Sequence, residues 1–287
     1  MPNRWKTLLA LLLCLLLTAC GAAQPEAQAG TFTLTFLTIG KADAFLLEAP
    51  EGGWYLLDTG RAEDVPQILR CMEAKGVEAL DGIFLSHGHK DHAGGLAAIL
   101  DAYPTGKVYL SGADTVSYAK VDAQAIAAAH DVPVHRLTSG ETLDLGGVTA
   151  AVWLPQTVDP EKENNNSVVL RLTHGENRFL MMGDAEKPEE KELRASGMDL
   201  RADVLKVGHH GKDDATSKKL LEQVQPSIAL VPGSRAEDAD SADEGVLERL
   251  RAAGAAVYVS ESDGLAYDLI SDGTEITVQE VADPDGA

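Results

Sequence analysis

The chain has 287 residues, with 45 acidic against 24 basic side chains, a formal net charge of −21 and 45% hydrophobic content. It is too apolar for an intrinsically disordered chain. It is also too acidic to be a general nucleic-acid clamp, which needs basic surface to displace counterions from phosphates, although an enzyme cutting nucleic acid through a metal site is not excluded. Three cysteines, none in a Cys-x-x-Cys pair, exclude a disulfide scaffold and a zinc ribbon.

Arg4 and Lys6 precede a leucine-rich run from Leu8 to Leu17. This is a positive segment followed by an apolar one of signal-peptide length, shorter than the roughly 20 apolar residues of a membrane span. It ends in Leu17-Thr18-Ala19-Cys20, which resembles a bacterial lipobox. The expectation is a signal peptide over 1–19, a lipidated Cys20 and a flexible tether to residue 30. An ordinary secretory signal that happens to contain a cysteine is the alternative. A lipoprotein cysteine carries several acyl chains, so it would anchor stably. Cys14 leaves with the signal, so Cys71 is the one thiol expected to stay free. The remaining residues, 31–287, read as one domain without an internal linker.

Thr31–Ile39 alternates Phe32, Leu34 and Phe36 with threonines and predicts a half-buried strand. Short strands follow at Ala44–Glu48 and Trp54–Asp58, then a helix over Val65–Lys75 stopped by Gly76. Ile83–Ser86 is a short buried strand, Leu96–Ala102 a helix, Val108–Ser111 a strand, Val121–His130 a helix and Val148–Leu154 a strand. Ser167–Thr173 and Arg178–Gly183 flank His174-Gly175-Glu176-Asn177 as a hairpin. Helices over Glu189–Ser196, Ser217–Val224 and Val246–Ala253 alternate with strands at Val204–Val207, Ile228–Val231 and Val257–Ser260. Leu265–Ile270 and Glu275–Val281 close the chain as strands. Glu237–Glu244 reads as a solvated acidic loop. Strands dominating both halves with helices between them suit two packed sheets with helices outside, a four-layer αββα sandwich.

Five of the eight histidines lie in two clusters, Ser86-His87-Gly88-His89-Lys90-Asp91-His92 and Gly208-His209-His210-Gly211. Each follows an apolar strand, where loops bring side chains together without breaking a sheet. His87 and His89 can share one metal while Asp91 and His92 turn toward a second. Imidazole with carboxylate suits Zn²⁺, and also Mn²⁺ or Fe²⁺. The bland alternative is a solvated polar loop, which three histidines and an aspartate in six residues make a poor account.

His87-x-His89-x-Asp91-His92 resembles the signature of the metallo-β-lactamase fold. The chain is similar, more narrowly, to the hydrolase domain of ComEC-type competence proteins and their free-standing lipoprotein relatives. The stretches carrying this are Gly40–Ala44, Leu56-Leu57-Asp58-Thr59-Gly60, Ser86–Gly95, Asn166-Ser167, Met182-Gly183-Asp184 and Leu205–Gly211. The resemblance implies His87, His89, Asp91, His92, Asp184 and His209 as metal ligands, with Asp184 bridging two ions. It implies His210 beside the substrate and Asp58 holding the metal loop from behind. One or two divalent ions, Zn²⁺ or Mn²⁺, follow from it.

Classical members supply a further histidine between the first cluster and the bridging aspartate. If Thr173 pairs with Arg178, His174 sits at the hairpin's far tip, about 20 Å from Asp184 at roughly 3.3 Å per residue. His130 and His135 read as surface residues. Asn166 is therefore expected in the missing histidine's place, as in competence-type relatives. Lys41-Ala42 stands where the family usually has glutamine-glycine, a change expected to matter little for chemistry. Gly233-Ser234-Arg235 lacks the family's usual asparagine and histidine.

The resulting expectation is a metal-dependent hydrolase, a phosphodiesterase or nuclease, in which Asp91, His210 and Asn166 act on the substrate. That substrate would be a phosphodiester of nucleic acid, a nucleotide or a cell-envelope component, met on the outer face of the bacterial cytoplasmic membrane. No protein partner is inferable. The alternatives are a non-catalytic metal-dependent binding lipoprotein and a hydrolase of another class, such as a β-lactamase.

Overall fold

The computed structural model describes residues 30–113, 121–261 and 264–282. The signal, lipobox and tether expectations lie outside them.

Two sheets form the centre. The first has the order β15 (Ile276–Val281), β14 (Ala266–Ser271), β1 (Phe32–Leu37), β2 (Phe45–Glu48), β3 (Trp54–Leu57), β4 (Gly82–Phe84), β5 (Val108–Ser111), β6 (Val134–Leu137). It is antiparallel from β15 to β3 and parallel from β3 to β6. The second has the order β13 (Ala256–Val259), β12 (Ile228–Val231), β11 (Val204–Lys206), β10 (Asn177–Met181), β9 (Val169–His174), β8 (Thr149–Trp153), β7 (Thr142–Asp144). It is parallel from β13 to β10 and antiparallel beyond.

Side-chain alternation builds three apolar layers from these strands. Phe45, Leu47, Leu57 and Phe84 face Leu170, Leu172, Phe179 and Leu230 between the sheets. Leu46 and Leu56 point the other way, into the layer of α1 (Val65–Ala74), α3 (Leu96–Ala102) and α4 (Ala123–Ala129), through Ile68, Met72, Ile99 and Ala127. Leu180, Leu205 and Ala229 do the same for α5 (Lys187–Ala195), α6 (Lys218–Val224) and α7 (Glu244–Ala252). The result is the expected αββα sandwich. Each fully buried Leu or Phe contributes about 1.5–3 kcal/mol. Strand β1 is buried along its whole length rather than half-buried: Phe32, Leu34 and Phe36 face the second sheet, Leu37 packs in the layer of α1 and α3, and Thr35 Oγ1 donates to Asp268.

Strands β6 and β7 went unforeseen. They are edge strands whose short sequences, Val-His-Arg-Leu and Thr-Leu-Asp, carry little apolar alternation. The Glu237–Glu244 loop is not simply solvated. Its Ser241 and Ala242 are buried, and Ala242 N–H donates to His210 O.

Glu189, in the first turn of α5, is 2% exposed, and its carboxylate has no ion-pair partner among the described residues. Burial raises its pKa well above the ordinary glutamate value; the Ser167 amide opposes this only in part, and the charges of Glu192, Asp184 and Glu186 add to it. A carboxyl raised in the folded state favours folding below its unfolded pKa, and that contribution is lost as pH rises through the folded value. Glu189→Gln removes the ionisation. The variant is expected to melt higher than the parent at pH 8, by about 2–4 °C per kcal/mol relieved, with the gap closing toward pH 4. A gap independent of pH in thermal melts would contradict this account.

Candidate metal centre

The parallel strands of both sheets deliver their C-terminal ends to one edge, where open α/β sheets place ligands. Strand β3 ends in Asp58, β4 leads to Ser86 and His87, β10 leads to Asp184 and β11 leads to His209 and His210. The short helix α2 (Lys90–Ala93) carries Asp91 and His92, and a turn at Glu163–Asn166 closes the rim.

Hydrogen bonds behind the histidines assign their tautomers. His92 Nδ1 donates to Asp58 Oδ2 at 2.8 Å, and His210 Nδ1 donates to Pro232 O at 2.8 Å. Ser86 Oγ donates to Asp58 Oδ2 at 2.7 Å and so accepts from His87 Nδ1 at 3.1 Å. All three rings therefore turn an Nε2 lone pair inward. His92 Nε2 and His210 Nε2 lie 3.3 Å apart, and lie 3.2 and 3.3 Å from Asp184 Oδ2. Asp91 Oδ2 is 3.3 Å from His210 Nε2, and His87 Nε2 is 3.8 Å from Asp184 Oδ2. His87, His92, His210 and Asp184 are all buried. Among the described residues, His87 Nε2 and Asp184 Oδ1 have no hydrogen-bond partner.

A buried group of acceptors facing one another needs a cation. The pKa shifts say the same. Burial opposes a charged His210, but Asp184, Asp43 and Asp91 outweigh it and push its pKa up to about 10. His92 is raised in the same way, burial being overcome by Asp184, Asp43 and Asp58. Burial and the charge of His92 hold His87 well below the usual histidine range, keeping it neutral and able to ligate. The donor set of imidazole nitrogens and carboxylates matches Zn²⁺ and related divalent ions.

The structure brings together His87, Asp91, His92 and Asp184 of the expected ligands. His89 packs beside His87, with ring centroids 4.6 Å apart, but its Nε2 faces Glu163 Oε2 at 3.5 Å. The two adjacent histidines trade places. His210, expected beside the substrate, points into the centre. His209, expected as a ligand, points to the rim, where Nδ1 meets Asp214 Oδ1 at 2.9 Å and Nε2 meets Asn164 Nδ2 at 3.2 Å. An extended backbone would send neighbouring side chains to opposite faces. Instead both residues adopt left-handed φ, 42° and 52°, in a tight turn between Gly208 and Gly211. Asn166 is likewise displaced from its expected role. Its amide is spent on the 159–162 loop, accepting from Asp159 N–H at 2.7 Å and donating to Asp159 O and Lys162 O. The asparagine that reaches His209 is Asn164.

Besides Asn164 and Asp214 at the rim, four residues escaped the sequence reading as parts of the site. Lys206, 1% exposed, sets its ammonium 2.5 Å from Asp43 Oδ2 and 2.6 Å from Gly183 O, with Asp184 Oδ1 at 3.7 Å. Asp43 also lies 3.4 Å from His210 Nδ1. Glu163 accepts from Gly88 N–H at 2.9 Å and so braces the histidine loop. Lys41 pairs with Asp91 Oδ2 at 2.6 Å, which places the lysine of that stretch against the centre. Asp43 and Lys206 lie inside stretches that carry the resemblance, yet nothing local marks either as part of a pair.

Residues 37–234, more than half of the chain, match the model of the metallo-beta-lactamase superfamily. The chain belongs to that superfamily. Its members are mostly metal-dependent hydrolases, and the fold holds one or two divalent ions. Among curated proteins it is similar to ComE operon protein 3 of Bacillus subtilis (29% identical, 69% of this chain and 28% of that one). It is similar also to Recombination protein 2 of Haemophilus influenzae (32%; 77% and 26%) and to the uncharacterized protein YcaI of Escherichia coli (30%; 81% and 29%). The superfamily domain is thus of the competence type, and the matched region spans less than a third of each of these relatives. Similar solved structures include the metallo-beta-lactamase fold protein YhfI of Bacillus subtilis, with TM-score 0.55 and 15% identity over 83% of this chain and 99% of that one. A diphosphatase from the PhnP family gives TM-score 0.52 and 17% identity over 84% and 98%. At these identities the likeness establishes the fold.

Asp58 holds the centre from behind, accepting from His92 Nδ1, Ser86 Oγ and Ser86 N–H. It does so at φ 58°, a conformation asparagine also tolerates. Asp58→Asn keeps the turn but places a donor where only acceptors fit. Metal affinity is expected to fall about 10–100-fold in competition with a chelating dye. Unchanged affinity would reduce Asp58 to a turn residue.

Proposed function

We propose that the protein is a metal-dependent phosphodiesterase or nuclease, exported and anchored through Cys20 on the outer face of the cytoplasmic membrane. The observation that carries the catalytic part is the buried convergence of three Nε2 lone pairs on Asp184. Divalent ions bound there by His87, Asp91, His92, Asp184 and His210 would supply hydroxide at neutral pH and stabilise charge developing on a phosphoryl oxygen. The chain's own groups do the rest. Asp91, partly exposed at the mouth and paired with Lys41, orients the nucleophile. His209, held by Asp214 at the rim, takes the leaving-group role first expected of His210, giving up a proton that it carries on Nε2 in place of the Asn164 contact. Asn164 fixes the His209 ring from its other side.

Curated relatives named for competence and recombination support a nucleic-acid phosphodiester. The net charge of −21 favours nucleotides or single strands over long duplex. The test is hydrolysis of bis(p-nitrophenyl) phosphate by the Zn²⁺- or Mn²⁺-loaded protein, beside a chromogenic β-lactam. Turnover of the diester that stops with chelator and returns with metal is expected. Turnover of the β-lactam alone, or of neither, would reject the proposal.

A further inference from the structure

Cations are scarce in this chain, 24 against 45 acids. Three of them line one cleft of about 540 Å³ that opens beside Asp91: Lys41, Arg61 and Lys90, facing Glu63 and Glu237. Lys41 bridges the cleft to the metal centre through its contact with Asp91. Lys90 is exposed and makes no ion pair among the described residues.

The cleft already grips an anion of the protein's own. Glu237 Oε2 accepts from the Lys41 backbone N–H at 3.1 Å and from Arg61 Nη1 at 2.6 Å. The guanidinium is pinned on its other side by Asp64, through Nε and Nη2 at 2.9 Å each, so it stays aimed when Glu237 leaves. Glu63 touches the same guanidinium only at 3.7 Å. Gly40 makes room for the carboxylate, since a Cβ there would overlap Glu237 Oε1. Glu237 itself is 39% exposed and rides on the loop between β12 and α7, so its pairing is solvent-screened and exchangeable. A guanidinium and a backbone N–H converging on one oxygen is the donor set that recognises phosphate.

We propose that this cleft is an anion subsite taking a second phosphate of the substrate, adjacent to the scissile one, with the Glu237 carboxylate as its internal stand-in. The proposal rests on the phosphodiester activity above and narrows it to substrates carrying neighbouring phosphates, such as a nucleotide strand. An incoming phosphate displaces Glu237 from Arg61 and the Lys41 amide and gains Lys90.

Calorimetric titration of the zinc-loaded full chain with thymidine 5′-monophosphate and thymidine 3′,5′-bisphosphate tests it without turnover. Both probes offer one phosphate to the metal centre; the second has one left for the cleft. The bisphosphate is expected to bind about 10-fold tighter, close to the worth of one charged hydrogen-bonded contact. Lys90→Ala should erase most of that preference. Glu237→Gln, which keeps the loop's shape and removes the competing charge, should enlarge it. Equal affinities in the parent, or a preference that neither variant changes, would overturn the subsite. Hydrolysis of bis(p-nitrophenyl) phosphate on the same samples separates the two claims. Turnover without a bisphosphate preference rejects the subsite alone, and a preference without turnover rejects the phosphodiesterase alone.

Discussion

His210→Ala is expected to empty the metal centre and lower diester turnover by at least about 10³-fold, the scale of losing metal-based charge stabilisation. His210 Nε2 stands 3.3 Å from each of His92 Nε2, Asp184 Oδ2 and Asp91 Oδ2, so its ring is a wall of the site. His209→Ala should behave differently. Its imidazole is engaged by Asp214 and Asn164 at the rim, so metal content should stay near that of the parent while turnover falls about 10²–10⁴-fold with loss of a general acid. The phenotype should be weakest on substrates with a good leaving group such as p-nitrophenolate, which needs little protonation. Elemental analysis of both variants decides the assignment. Metal lost from His209→Ala and kept in His210→Ala would restore the roles read from the sequence.

Asp184→Asn should be as severe. The carboxylate lies within 4 Å of His87, His92, His210 and Lys206, and its backbone N–H is held by Ser167 Oγ at 3.0 Å. Asparagine preserves the volume and the turn, but substitutes one donor-bearing nitrogen in a place built from acceptors and removes the central charge. Occupancy is expected to fall below one ion per chain and turnover to drop by about 10³-fold or more. The fold should remain, since the strands around Asp184 are held by apolar packing of Met181, Met182 and Leu205. Full metal occupancy with full turnover would remove Asp184 from the centre.

What the sequence made legible follows the range of the interactions. His87, Asp91 and His92 fall within six residues after a buried strand, and the pairing of Thr173 with Arg178 came from a tight hairpin. Both are local. The assignment of His209 against His210 depended on two left-handed residues, a conformation that no residue type at those positions announces. Asn166 and Asn164 are told apart by how the 159–166 segment wraps, which Asp159 decides by bonding Asn165 and Asn166. The Lys206–Asp43 pair joins β11 to the β1–β2 loop across both sheets, and Glu237 reaches Arg61 from the opposite half of the chain. Contacts of that separation leave no periodicity or spacing to read. The edge strands β6 and β7 were lost for the opposite reason, their local patterns being too short and polar.

Anomalous diffraction from crystals of the metal-loaded protein, with elemental analysis of the same preparation, tests the centre most directly. The account predicts at least one transition ion per chain, about 2 Å from Nε2 of His87, His92 or His210 and from an Asp184 oxygen, with His209 outside bonding distance. A metal-free protein, or an ion held solely by Glu186, His209 and Asp214, a group at the rim also able to ligate one, would contradict it.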